Sequence, residues 1–356
     1  MRHRNNGALL ALALTAIAGS ASAQFGGGTL AITQVGDGSG ALTSAAWAAF
    51  LDDYSTSGAF IGSTAMRTSA SGSQFASTNS GTATSELQLN LTGNGSSLTL
   101  GGYNLAAGTT GAAASTVSRT IDIVSLSGSV DSTTGISSFF SGTNIRSVWS
   151  ADGSSSYAAG PKGLVYDTLG GTTGVQLMST SNIRQIEGFG GNLYYSTASG
   201  GTGIYEITGM PATGTVTSTE ILATATSSPY DFMFANGGNT LYVADDGAGI
   251  SKYVNTGGTW SLSYTGLTTG FTGVRSITTD GTNIYGIAVT SSGLDELIST
   301  SDTGSGFGAF NLLATPGTNE NFRGVRYIPV AAPEPISMAF LSLGIVGLVA
   351  QRRTRK

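Results

Sequence analysis

The chain has 356 residues, a formal net charge of −5, no cysteine and a single histidine, His3. Disulfides and thiolate metal sites are therefore excluded, and so is any Ser-His-Asp triad or His-ligated zinc in a chain that has lost its first residues. Its 54 glycines and many Ser and Thr resemble a disordered composition, yet tyrosines and β-branched residues recur in short clusters, as in strands joined by glycine-rich turns.

Arg2, His3 and Arg4 precede an apolar run over residues 8–18, and Ala21-Ser22-Ala23 follows. Cations, apolar core and small residues in that order predict a signal peptide over residues 1–23, cut by signal peptidase between Ala23 and Gln24. Residues 24–332 then form one large domain, since no stretch reads as an interdomain linker. That domain holds nine Lys and Arg against nineteen Asp and Glu, a net charge of −10, with no basic cluster. Such a balance opposes binding to nucleic acid or an anionic membrane surface and suits an exported, soluble domain.

Short strands are predicted at residues 30–35, 48–54 and 59–63, then at 86–91, 98–103 and 119–125. From Asn144 a unit repeats. It starts Asn144-Ile145-Arg146-Ser147-Val148-Trp149, returns as Asn182-Ile183-Arg184-Gln185-Ile186, and echoes in Gly273-Val274-Arg275-Ser276-Ile277 and Phe322-Arg323-Gly324-Val325-Arg326. Asp231-Phe232-Met233-Phe234 holds the equivalent place without an arginine. Asn-Gly, Asp-Gly and Gly-Gly turns and two further strands follow the internal starts. Starts near 146, 184, 231, 275 and 323 are spaced by 38, 47, 44 and 48 residues, the period of a four-stranded propeller blade. The first segment lacks a strand, which residues 322–328 supply by joining both ends of the domain in one blade. The expectation is an all-β propeller of six blades, with seven as the alternative.

The chain ends in Pro333-Glu334-Pro335, an apolar stretch over residues 336–350, and Arg352, Arg353, Arg355 and Lys356. As a helix the apolar stretch would reach about 22 Å at ~1.5 Å per residue, short of the ~30 Å hydrocarbon core. It is a marginal permanent anchor, with its cations held on the cytoplasmic side. The two prolines favour an extended, accessible approach to it. Proline-Glu-Pro, short apolar helix and basic end together resemble the PEP-CTERM sorting signal of Gram-negative bacteria, although Ile336 stands where a small residue is usual. The resemblance covers residues 333–356 and implies recognition by exosortase, a membrane transpeptidase, with removal of the tail. The domain itself resembles a family of secreted bacterial β-propeller proteins with no firmly assigned activity. That likeness rests on Ala49-Phe50-Leu51-Asp52-Asp53-Tyr54, Gly81-Thr82-Ala83-Thr84-Ser85-Glu86, Asn144-Ile145-Arg146, Leu241-Tyr242-Val243-Ala244-Asp245-Asp246 and Phe322-Arg323-Gly324-Val325.

Carboxylates are the acid–base groups that remain, so an enzyme here would be a polysaccharide hydrolase or lyase using paired Asp or Glu. The doublets Asp52-Asp53, Asp245-Asp246 and Asp295-Glu296 are not such pairs by themselves, because neighbours on a strand point to opposite faces. Asp245-Asp246-Gly247 is a candidate calcium turn without the alternating ligands of an EF-hand, and a hairpin turn is the plainer reading. Arg146, Arg184, Arg275 and Arg323 share one blade position, from which they would either hold an anionic sugar in the axial channel or pair structurally between blades. No catalytic residue or cofactor is identified. The sequence thus describes an exported, non-enzymatic propeller, membrane-associated in transit and delivered to the cell surface or a biofilm matrix, in contact with extracellular polysaccharide.

Overall fold

A computed structural model describes residues 25–330, apart from 138, 180–181, 199–200, 225–227 and 268. The predicted signal peptide with Ala21, Ala23 and Gln24, and the predicted sorting signal with Pro333, Glu334, Pro335 and the helix at 336–350, lie outside the described residues. Among the described residues no helix is long and apolar enough to cross a membrane.

Six four-stranded antiparallel sheets stand as blades around an axis, so six blades is the count and seven is not. Blade 3 comprises Ser147–Trp149, Ser155–Gly160, Gly163–Thr168 and Val175–Met178, from the axis outward. Blade 4 comprises Ile183–Phe189, Asn192–Thr197, Gly203–Ile207 and Thr219–Ala223. Blade 5 runs Pro229–Ala235, Thr240–Asp245, Gly249–Thr256 and Thr259–Gly266, and blade 6 runs Phe271–Thr279, Asn283–Thr290, Asp295–Ser301 and Asn311–Ala314. Blade 1 takes its innermost strand, Asn321–Ile328, from the end of the domain and pairs it with Thr29–Val35, followed by Ala49–Ser55 and Phe60–Ala65. The missing first strand is thus supplied as the repeat predicted. Such closure turns an open stack of blades, each able to bury its faces only against neighbours, into a ring with no exposed end.

Period-two alternation explains the ring's cohesion, because both faces of each blade are apolar and each faces a different neighbour. In blade 1, Leu30 and Ile32 pack with Tyr285, Ile287 and Leu297 of blade 6, whereas Ala31 and Val35 pack with Leu98 and Leu100 on the blade 2 side. One buried cluster fills each of the six blade interfaces.

Blade 2 departs from the sequence expectation. Its strands are Asn90–Leu91, Ser97–Tyr103, Arg119–Ser125 and Val130–Ile136, so the innermost ladder is two residues long rather than spanning 86–91. Leu87 has a φ of +59°, which breaks the extended run, and the Gln88 amide donates to the Arg146 carbonyl of blade 3 at 3.0 Å. The segment that precedes Asn90 therefore ties two blades together instead of lengthening its own. A small extra pair, Ala46–Trp47 with Asn79–Ser80, lies outside the blades.

Candidate functional site

The repeat places one polar residue type after another on the innermost strands, and two layers result. In the deeper layer, Arg326 of blade 1 reaches Asp231 of blade 5 with both terminal nitrogens, Nη1 to Oδ2 at 2.8 Å and Nη2 to Oδ1 at 3.1 Å. Arg326 also donates to the carbonyl of Ile277 in blade 6 at 2.9 Å and to Asn90 Oδ1 of blade 2 at 3.0 Å. Asn90 in turn donates to the carbonyls of Val148 in blade 3 and Ile186 in blade 4, and its Oδ1 accepts from Gln185 as well. Asp231 accepts further bonds from the Ser276 hydroxyl at 2.9 Å and from the amides of Ile277 and Phe232. Asp231 is wholly buried and Arg326 nearly so. One ion pair with its hydrogen-bond partners thus joins all six blades across the axis and fills it with polar side chains.

The four repeated arginines occupy the other layer: Arg146 just precedes its innermost strand, Arg184 and Arg323 lie near the starts of theirs, and Arg275 lies midway along Phe271–Thr279. Arg323 donates to Asp295 Oδ2 at 2.5 Å and Arg275 to Asp295 Oδ1 at 3.1 Å, while Arg275 Nε also meets Asp246 Oδ1 at 2.8 Å. Arg275 lies 5.6 Å and Arg184 4.5 Å from the centre of the Tyr230 ring, so the two guanidinium groups share one aromatic partner. Arg184 donates to the Tyr230 hydroxyl at 3.1 Å. Arg146 donates to Asn182 Oδ1 and to the Ile183 carbonyl, immediately before Arg184. Burial, followed by the positive charge of Arg184, pushes the Arg146 guanidinium down to about 10. The sequence grouped the four by their place in the repeat. It also offered two roles for them, and the structure divides them: Arg275 and Arg323 are ion-paired, whereas Arg146 and Arg184 have no carboxylate partner among the described residues.

Glu86, brought in by the connection into blade 2, closes the blade 2 side of this cup. It is fully buried and accepts from the Tyr103 hydroxyl, from Asn144 Nδ2 at 2.5 Å and from the Ser80 amide at 2.9 Å. Burial pushes its carboxyl up despite those bonds. Beneath it the wholly buried Arg119 lies 4.6 Å from the Tyr103 ring centre and donates to the carbonyls of Ser115, Val117, Phe140 and Thr143. Those carbonyls make Arg119 a clamp on the connection between blades 2 and 3.

Gly273 and Gly324 let neighbouring backbone come close to the arginine-bearing strands. A Cβ at Gly324 would stand 2.7 Å from the Leu87 carbonyl oxygen, and one at Gly273 would collide with the Asp246 backbone. Glycine at the second place lets Asp246 come within reach of Arg275, two residues further on.

The acidic doublets separate as strand geometry requires. Asp245 Oδ1 accepts the Gly247 amide at 2.8 Å in a tight turn, while Asp246 turns to Arg275. Among the described residues no group of three or more His, Cys, Asp or Glu could hold a metal ion. Asp295 belongs to the cup, while Glu296 accepts from Thr315 at the surface. Asp52 lies in a flank cleft of about 400 Å³, with Asp37, Tyr54, Phe60 and Glu320 also in its walls, and accepts from Ser63 at 2.5 Å. Burial, opposed by that bond and reinforced by Glu320, pushes the Asp52 carboxyl up to about 6. Sequence reasoning missed Tyr230, Arg326 and Glu86. Their signals were the residue preceding Asp231 in the repeat, the second arginine of Phe322-Arg323-Gly324-Val325-Arg326, and the acid that ends Gly81-Thr82-Ala83-Thr84-Ser85-Glu86.

No protein-family model and no curated protein sequence matches the chain. Among solved structures it is similar to a Bacteroides fragilis protein provisionally described as a 6-phosphogluconolactonase, with a TM-score of 0.51 and 11% identity over 80% of this chain and 83% of the other. It is also similar to TolB from Acinetobacter baumannii, with a TM-score of 0.51 and 12% identity over 85% of this chain and 67% of that one. The periplasmic gluconolactonase PpgL of Pseudomonas aeruginosa gives 0.48 and 13% over 81% and 83%. At these identities the first two likenesses establish the propeller fold alone.

Proposed function

We propose that the protein is an exported β-propeller, sorted by exosortase to the cell surface or an extracellular matrix, where it has a binding or structural role towards polysaccharide rather than a catalytic one. One observation carries this reading: each of the six blades has its four strands within residues 29–328, between the two predicted tails. The two ends leave the domain side by side. The Gly28 amide donates to the Ile328 carbonyl at 2.8 Å, and a Cβ at Gly27 would stand 2.8 Å from the Val330 Cα. Val330 is 68% exposed, so Pro333, three residues on, follows from an accessible point. Signal peptidase and exosortase can then each cut without disturbing the ring.

Mass spectrometry of the protein from cells with and without a working exosortase tests the sorting. The expected product with the enzyme ends near Pro333-Glu334-Pro335, and without it keeps Arg352 to Lys356; an intact end in the competent strain overturns the reading. The alternative, a carboxylate-dependent polysaccharide hydrolase or lyase, draws on the flank cleft, where a protonatable Asp52 and a second carboxylate, Glu320, share aromatic walls. Release of reducing ends from polysaccharide by the native protein but not by Asp52→Asn would establish it. No release by the native protein removes it.

A further inference from the structure

The arginine cup is unevenly neutralised, and the imbalance has a direction. Arg275 and Arg323 face Asp246 and Asp295, and Glu86 is saturated by Tyr103, Asn144 and the Ser80 amide. On the opposite side, Arg146 is 8% exposed and, among the described residues, each of Arg146 and Arg184 donates through Nη1 alone. Nε of both is buried with no acceptor. Two neighbouring guanidinium groups with uncommitted donors are a costly arrangement for a fold to keep, because each buried charge without a counter-charge remains undercompensated.

We propose that Arg146 and Arg184, with Tyr230 and Asn182 as their supports, form a binding site for the carboxylate of an acidic ligand, entering from the end of the axis opposite the Arg326–Asp231 plug. With Nη1 of each residue committed and Nε enclosed, Nη2 of each is the donor left for a ligand, and two such guanidinium groups can offer one donor to each oxygen of a carboxylate. A ligand carrying one charge per repeating unit suits the site, since Asp246, Asp295 and Glu86 line the rest of the cup and a densely charged polyanion would meet them. The plug makes the cup blind, so the ligand's charged end is held without passing through. Tyr230 keeps Arg184 in place through its ring and its hydroxyl, and Asn182 does the same for Arg146 through its amide oxygen.

This inference deepens the binding role proposed above by naming the ligand chemistry, and it does not depend on the fate of the tail. The carboxylate has two possible sources, an acidic sugar or the free end of a peptide, and titration calorimetry on the purified exported protein distinguishes them. The probes are trigalacturonate, the neutral galactose trimer, a tripeptide with a free or amidated carboxyl end, and inorganic phosphate. Binding of trigalacturonate but not the neutral trimer supports the site with a glycan source, and binding of the free-acid peptide but not its amide supports it with a peptide source. In either case affinity should fall with added salt. Arg146→Gln and Arg184→Gln should each weaken that binding at least tenfold, and Arg67→Gln, an exposed arginine, should leave it unchanged. Because a variant could misfold, Nε–H resonances of the native protein give a second reading: two should shift on saturation with the bound carboxylate. The proposal is overturned if neither carboxylate probe binds, if phosphate or the neutral trimer binds as tightly, or if both glutamine variants retain full affinity. An unprocessed tail alongside carboxylate binding would overturn the sorting and leave this site standing.

Discussion

The deep layer and the outer layer of the axis use the same side chain to opposite ends. Arg326 is buried, forked onto Asp231, and supplied with carbonyl and amide acceptors from blades 1, 2 and 6. Arg146 is buried to a similar degree, yet its acceptors are one amide oxygen and one carbonyl, and its nearest cation is another arginine. A saturated guanidinium holds a ring together, whereas an unsaturated one leaves donors for something else. Burial alone therefore says little about an arginine's role, and the account of its acceptors says more.

Breaking the saturated side should have the largest effect. Arg326→Gln leaves Asp231 as a buried, unpaired carboxylate, and a loss of about 3–5 kcal/mol is expected in urea unfolding of the exported domain. Arg326→Met combined with Asp231→Leu should recover most of that loss, because the uncompensated charge is removed with its partner. A single variant that unfolds at the native urea midpoint would mean that the plug does not connect the blades energetically.

If undersatisfaction is what makes a buried charge costly, an acid should obey the rule too. The Asp52 carboxyl rises on folding from its ordinary 3.8 to about 6. The folded chain then binds this proton more tightly than the unfolded chain, so stability is fullest below about pH 4, declines as pH rises to about 6, and levels off above it. Asp52→Asn keeps an acceptor for Ser63 and removes the charge, so it should be more stable at pH 7 by up to about 3 kcal/mol, with the gap closing below pH 4. Equal urea midpoints for variant and native protein at pH 7 would remove the assignment of Asp52 as a strained acid.

How much of this was legible beforehand follows from the same chemistry. Period and turn residues depend on local backbone preference, and they correctly gave six blades and the closing strand. The partners of the arginines on the innermost strands lie up to 242 residues away along the chain, as with Arg323 and the Gly81 carbonyl, and no local pattern encodes them. One hint was available. Among the five repeat starts near 146, 184, 231, 275 and 323, the one without an arginine carries Asp231 and the one with two carries Arg326, so the gap and the surplus answer each other across the axis. Blade 2 escaped because its innermost segment is extended in sequence character but turned by Leu87 and by the buried carboxylate of Glu86, both set by the neighbouring blade.

The smallest effect is the most pointed. Were Arg146 a structural tie between blades 3 and 4, truncating it would expose unpaired acceptors and cost stability, as at Arg326. Asn182 Oδ1 and the Ile183 carbonyl are its only acceptors among the described residues, and Arg146→Gln retains an amide that can still donate to them. Against the loss of those bonds stands relief from burying a cation beside Arg184, so the two contributions oppose each other and the net change should lie within about 1 kcal/mol of zero. Thermal unfolding of Arg146→Gln and Arg184→Gln in the absence of ligand reads this directly. Native-like unfolding temperatures would place the value of these side chains in what they bind, while a loss as large as that of Arg326→Gln would make the outer layer a second plug.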